Sequence, residues 1–135
     1  MLFSTGSQDV ATDLELLRRN GVTHILNVAS FVDNHFPDAF IYKDMKIMDL
    51  PETDIVQYFP ECFDFIGQCA QAGGCVLVHC NAGVSRAPSI VIGYLMTTRR
   101  FTFQEALDYV KSKRPSVRPN DGFLTQLKNY KPETL

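Results

Sequence analysis

The chain has 135 residues, 45% of them hydrophobic and 21% charged, and a formal net charge of −2. That is the size and balance of one globular domain with a proper core, and it sets up no basic field to draw the chain to nucleic acid or an anionic membrane. No apolar run reaches the length of a bilayer span, and the opening MLFSTGSQD has neither the basic start nor the apolar stretch of a signal peptide.

In chain order, Leu2 and Phe3 are expected to open a strand, followed by a polar turn from Ser4 to Ser7. Val10, Leu14 and Leu17 recur at helical spacing, which predicts a helix over about Asp9 to Asn20, stopped at Asn20-Gly21. Thr23 to Ala29 reads THILNVA, a short buried strand interrupted by Asn27. The ordinary reason for such an interruption is a buried Asn bonded to nearby loop backbone. Ser30 to Ala39 is a loop. Phe40 to Met48 holds a second strand with Ile41, Met45, Ile47 and Met48 as core candidates. Asp49 to Thr53 then reads as the loop at that strand's C-terminal end, where α/β sheets place their chemistry.

Asp54 to Gln71 has a helical pattern, but Pro60 lacks a backbone donor and should restart the helix near Tyr58. Phe59, Phe63, Phe65 and Ile66 are core, Gly73-Gly74 ends the segment, and a strand runs on to Cys80. Ala87 to Thr97 carries Ile90, Val91, Tyr94 and Leu95 nearly all round, as a central buried helix does. Thr102 to Lys113 is amphipathic, with Phe103, Ala106, Leu107 and Val110 on one face and a capping box of Thr102 with Glu105. Arg114-Pro115 stops it, and Asn120 caps a last helix bearing Phe123, Leu124 and Leu127. Arg99-Arg100 and Lys111 to Arg114 could make a docking patch for an acidic partner, but the ordinary role of such residues is at helix ends, where positive charge is favoured. The fold class is therefore α/β, with a small, mostly parallel central sheet flanked by helices and the whole chain, 1–135, forming one domain.

The four cysteines, Cys62, Cys69, Cys75 and Cys80, form no CxxC pair. A zinc or thioredoxin-type motif is thus unsupported. Cys75 and His79 are expected on one strand face and Cys80 on the other, which argues against a compact ligand cluster. Cys62 and Cys69 read as helix packing. Free thiols fit a reducing, cytoplasmic compartment.

The most informative stretch is residues 75 to 89, CVLVHCNAGVSRAPS. An apolar run ends at His79-Cys80, a short loop with Gly83 at its middle follows, and Arg86 opens the next helix. A helix N-terminus leaves N–H groups unpaired and partly positive, which suits an anion. A Gly-containing loop can curl its N–H groups inward into a nest, and Arg86 can add a planar fork matched to two phosphate oxygens. The same field favours the thiolate of Cys80, a nucleophile aimed at the cradled phosphate. A lone Cys at a strand end is usually a small hydrophobe. The joint spacing of His-Cys, Gly and Arg has a chance frequency on the order of 10⁻⁴ in a chain of this length.

Thiolate attack expels a poor leaving group unless a carboxylic acid protonates it. Asp44, Asp49, Glu52, Asp54, Glu61 and Asp64 lie upstream. Asp44 sits in a strand, and Glu61 and Asp64 sit on a helix, all expected to face solvent. Asp49 opens the loop after the second strand and is the first choice; Asp54 is the second, and a turn or helix cap is the competing role for Asp49.

The segment VHCNAGVSRAPS resembles the signature of the cysteine-dependent protein tyrosine phosphatase superfamily, and within it the small atypical dual-specificity phosphatases. The resemblance extends over nearly the whole chain: GSQD at residues 6–9, THILNVA, DLPET with YFPECF, VLVHCNAGVSRA, and PNDGF with QL match in order. It implies a compact α/β catalytic domain and a cysteinyl-phosphate intermediate without metal or cofactor. It makes Cys80 the nucleophile, Arg86 the phosphate clamp, and the backbone of Asn81, Ala82, Gly83, Val84, Ser85 and Arg86 the cradle. His79 would tune the thiol from behind, Asp49 would be the general acid from its place relative to Tyr58-Phe59, and Asn120 and Phe123 match a supporting region. Phosphorylated proteins, among them kinases of the mitogen-activated cascades, are the implied substrates. The family commonly has Ser or Thr after the signature Arg, whereas this chain has Ala87. That departure raises a second reading, a phosphoprotein-binding scaffold with little turnover. Positions 81 to 85 are uncharged, which disfavours lipid headgroups and RNA ends, and Cys75 lies too far back along its strand to resolve a disulfide with Cys80.

Overall fold

The structure, a computed structural model, describes residues 2–132. Its centre is a four-stranded sheet in the order β1-β4-β2-β3, made of β1 (Leu2–Gly6), β2 (His24–Asn27), β3 (Ile41–Asp44) and β4 (Val76–His79). Every pairing is parallel, so all strands point their C-terminal ends to one edge, and the loops leaving that edge can meet.

Alternation along the inner strands divides the core in two. Ile25, Cys75 and Leu77 face Ala11, Leu17, Val22 and Phe40. Leu26, Val76, Val78 and Cys80 face the other way, into the larger cluster. The first layer is closed by α1 (Gln8–Ala11) and α2 (Leu14–Arg19), the second by α3 (Phe59–Gln71), α4 (Arg86–Thr98), α5 (Phe103–Lys113) and α6 (Asp121–Asn129). The small parallel sheet between helices agrees with the sequence reading. So do the opposite directions of Cys75 and Cys80.

Four local expectations needed correction. β1 runs through Gly6, because Thr5 and Gly6 pair with Val78 and His79; a parallel partner supplies backbone bonds whatever the side chains, so Ser4 to Ser7 is not simply a turn. The helix expected over Asp9 to Asn20 is two helices, because the Asp13 carboxylate accepts from the Leu16 N–H at 3.0 Å and starts a new N-terminus. The second strand stops at Asp44. Ile41 and Met48, expected in the core, are 58% and 50% exposed; among the described residues β3 pairs only with β2 and is an edge, and beyond Asp44 the chain has left the pleat. Ile47 is fully buried.

Elsewhere the local rules hold. A 3₁₀ turn over Val56–Tyr58 leads into α3, with Pro60 in its first turn, where a missing N–H costs nothing. Thr102 and Glu105 form both bonds of the capping box on α5. The Asn120 side chain caps α6 through the Phe123 N–H. Helix α4 is buried from Arg86 through Gly93, as its apolar sequence requires.

Candidate active site

The turn from β4 to α4 holds Cys80, the loop 81–85 and Arg86. Cys80 is 2% exposed at the strand end. Gly83 has φ 76°, a left-handed turn that a side chain disfavours, and this reversal curls the loop. Among the described residues, every carbonyl from Cys80 to Ser85 except that of Gly83 is taken. His79 Nδ1 lies 3.3 Å from the Cys80 carbonyl. The Gln8 N–H donates to Asn81 O at 2.9 Å and the Arg118 N–H to Val84 O at 2.6 Å. Arg114 Nη2 donates to Ala82 O at 3.1 Å, and Ser85 O accepts from the N–H and the hydroxyl of Ser89. Among the described residues, the N–H groups of Ala82 to Ser85 donate to no protein acceptor. Carbonyls held outward and amides left unspent describe an anion nest.

Arg86 is held as firmly. Its Nη1 donates to Ser30 Oγ and to Ile47 O, both at 3.0 Å, and its Nη2 to Asn81 Oδ1 at 2.6 Å. The Nε–H is buried without a partner. Buried donors are almost always satisfied, so a guanidinium fixed at one end with a spare donor on its side edge fits an acceptor not supplied by the protein.

Of the two upstream acids preferred from sequence, the structure brings Asp49 to this turn. One Asp49 carboxylate oxygen accepts from Ser85 Oγ at 2.7 Å and from Asn120 Nδ2 at 2.9 Å. The Asn120 N–H in turn donates to Ser85 Oγ. The second carboxylate oxygen has no protein donor among the described residues, and the residue is exposed. Asp54 lies instead along a cleft with Val56 and Tyr130. Asp44 accepts from Asn34 Nδ2, and Glu61 pairs with Lys43 at 3.1 Å, so neither is drawn to the turn.

His79 is 1% exposed. Burial holds its pKa below the ordinary value, opposed by the Cys80 carbonyl and Asp44 and assisted by His35. Ala87 is fully buried and offers no hydroxyl. Asn27 bonds Val32 O, Asn34 and the Ala29 N–H, the loop-bracing role expected for it. Burial pushes the Cys62 thiol up to about 12, with Glu61 adding to the rise and Lys43 opposing it; it is a neutral packing group. All four cysteines are free. Among the described residues no cluster of His, Cys, Asp or Glu has metal-binding form, and no helix is long and apolar enough to cross a membrane.

Sequence reasoning missed Ser30, which bridges the guanidinium to the loop after β2 and exchanges bonds with Asn81 through both its N–H and its carbonyl. It also missed Arg114, Arg118 and the bond from Asn120 to Asp49. Arg118 acts through its amide, which no residue type announces.

Residues 4–133 match the family described as dual specificity phosphatase, catalytic domain. The chain is 60% identical over 125 residues to dual specificity protein phosphatase 19 of Mus musculus, covering 93% of this chain and 57% of that protein. It thus spans little more than half the length of that relative. Among solved structures, the human tyrosine phosphatase-like serine/threonine/tyrosine-interacting protein superposes with a TM-score of 0.88 at 38% identity, covering 96% of this chain and 89% of the other. DUSP15 superposes at 0.89 and 36% identity, with 95% and 81% covered.

Proposed function

The chain belongs to the dual specificity phosphatase catalytic-domain family, and from that membership we propose that it hydrolyses phosphate esters of tyrosine and of serine or threonine in other proteins. The observation that carries this is the turn itself: a thiol at the strand end, amides left unspent, and an anchored guanidinium with a buried free donor.

In the proposed reaction the Cys80 thiolate attacks phosphorus, and an S–P bond forms as the P–O bond to the substrate breaks. The departing oxygen takes its proton from the Asp49 carboxyl. Water then attacks phosphorus and gives a proton to the Asp49 carboxylate; the S–P bond breaks, and thiolate and inorganic phosphate leave. The loop amides and Arg86 hold the three non-bridging oxygens throughout, stabilising charge where it builds. His79, bonded behind the thiol, fixes the strand end, and Ser85 with Asn120 aims Asp49.

The domain spans the whole chain in this proposal, and no cofactor takes part. The resemblance makes kinases of the mitogen-activated cascades the first substrates to try, in a cytoplasmic setting. Replacement of Cys80 by Ser is expected to abolish hydrolysis of p-nitrophenyl phosphate and keep phosphopeptide binding. Full turnover by Cys80→Ser would overturn the mechanism.

A second reading has one specific observation behind it. Ala87 leaves the thiolate without the hydroxyl common in the family, and a structurally similar human protein is described as phosphatase-like and interacting. A scaffold would bind phosphopeptides with negligible turnover. The ratio of turnover to phosphopeptide affinity separates the two.

A further inference from the structure

Phe31 is 91% exposed and has φ 60°. The left-handed region is costly for any residue with a Cβ, and a ring standing in solvent recovers nothing by burial. Strain of this kind concentrates at functional sites. Five large apolar side chains stay exposed among the described residues, and three of them, Phe31, Met48 and Leu50, are chain neighbours of Ser30, Ile47 or Asp49, which bond Arg86 or Ser85. Phe31 follows Ser30, which bonds Arg86 and Asn81. Met48 and Leu50 stand on either side of Asp49, and Met48 Sδ lies 3.6 Å from Ser30 Oγ. Lys46 Nζ stands 5.7 Å from the centroid of the Phe31 ring, so a cation covers part of the same ring.

We propose that Phe31, with Met48 and Leu50, forms an apolar rim that recognises a large apolar side chain next to the phosphorylated residue of the substrate chain. This rests on the phosphatase reading above. The phosphoryl group is assigned to Arg86 and the loop amides, and the leaving oxygen to Asp49. Each rim residue is one position along the chain from a group bonded to Arg86 or from Asp49 itself. A substrate backbone advances about 3.3 Å per residue when extended, so the rim lies where the neighbour of the phosphorylated residue would fall. Aromatic and Met side chains exposed beside polar groups are common anchors in recognition.

The test compares phosphotyrosine peptides that differ only at the adjacent residue, Leu, Gly or Glu. The Leu peptide is expected to exceed the Gly peptide by about tenfold in kcat/KM, the scale of one well-placed apolar contact. Phe31→Gly suits a positive φ and is expected to fold and melt no lower than the wild type, while the Leu-to-Gly preference falls to about twofold or less. A preference unchanged in Phe31→Gly, or a wild type that favours the Glu peptide, would overturn the rim. Absence of p-nitrophenyl phosphate turnover in the wild type would be a failure of the phosphatase reading. The rim is then decided by binding: Cys80→Ser should hold the Leu peptide tighter than the Gly peptide, and Cys80→Ser with Phe31→Gly should not.

Discussion

The side chain after Arg86 is a methyl group, fully buried at the start of α4. In the proposed reaction, the resemblance implies that a hydroxyl at this position would donate to the Cys80 sulfur as it leaves phosphorus. Loss of one hydrogen bond to a charged acceptor costs about 1.5–3 kcal/mol, or roughly ten- to a hundredfold in rate. The first half-reaction gains little from that bond, because the thiolate is then being consumed. The expected kinetics on p-nitrophenyl phosphate are therefore a burst of one equivalent of p-nitrophenol, then slow steady turnover. Ala87→Ser should raise the steady rate by about tenfold or more and shrink the burst. A steady rate unmoved by Ala87→Ser would show that thiolate departure is not limiting. The geometry of this turn was legible in the sequence because Cys80, Gly83 and Arg86 lie in one contiguous stretch, where spacing nearly determines the backbone path. Ser30 and the carbonyl of Ile47 were not legible. They reach Arg86 from other loops, and neither a lone Ser nor a backbone oxygen has a pattern.

Helix α6 and the loop after β3 are joined at the level of whole elements. Asn120 does two jobs: its carbonyl oxygen caps α6 through the Phe123 N–H, and its amide nitrogen donates to Asp49. Gln126 repeats the link farther along, accepting from the Ile55 N–H and donating to Thr53 O. At Gly122 an added Cβ would strike the backbone carbonyl of Pro51, so the helix and the loop approach as closely as glycine permits. The two roles of Asn120 separate by substitution. Asn120→Ser keeps an oxygen for the cap and loses the bond to Asp49; turnover should fall about tenfold with little change in thermal midpoint. Asn120→Ala loses both, and stability should drop by about 1 kcal/mol as well. Equal turnover in wild type and Asn120→Ser would remove the aiming role. The sequence announced the cap, since Asn before a helix has a known preference. It did not announce the contact with Asp49, because that depends on how α6 docks. The same limit explains the misplacement of Ile41 and Met48, whose apolarity suggested burial. Edge position and the exit of the chain from the sheet are tertiary facts, and they decided the outcome.

At the scale of the molecule, all strand ends converge on one edge, and the price of bringing the turn there is a buried imidazole. His79 is 1% exposed between the sheet and the turn. Burial is the leading cause of its lowered pKa; the Cys80 carbonyl and Asp44 push it up, and His35 pushes it down. His24, beside Phe65, is lowered by burial in the same sense. In the unfolded chain both imidazoles return to about 6.5. Between the folded pKa and 6.5 the unfolded chain therefore binds more protons than the folded one, so stability rises with pH across that interval. The stabilisation is complete above 6.5 and is lost as pH falls below it. Urea midpoints measured from pH 7.5 down to 5.5 should decline, and His79→Gln should flatten the decline whatever it does to the midpoint at pH 7.5. A midpoint that rises on acidification, or a slope that His79→Gln leaves intact, would show that the imidazole behind Cys80 is not the group that charges. Carriage of the proton by His24 instead would be revealed by His24→Gln removing the same slope, and the turn around Cys80 would then be uncoupled from the acid limit of the fold.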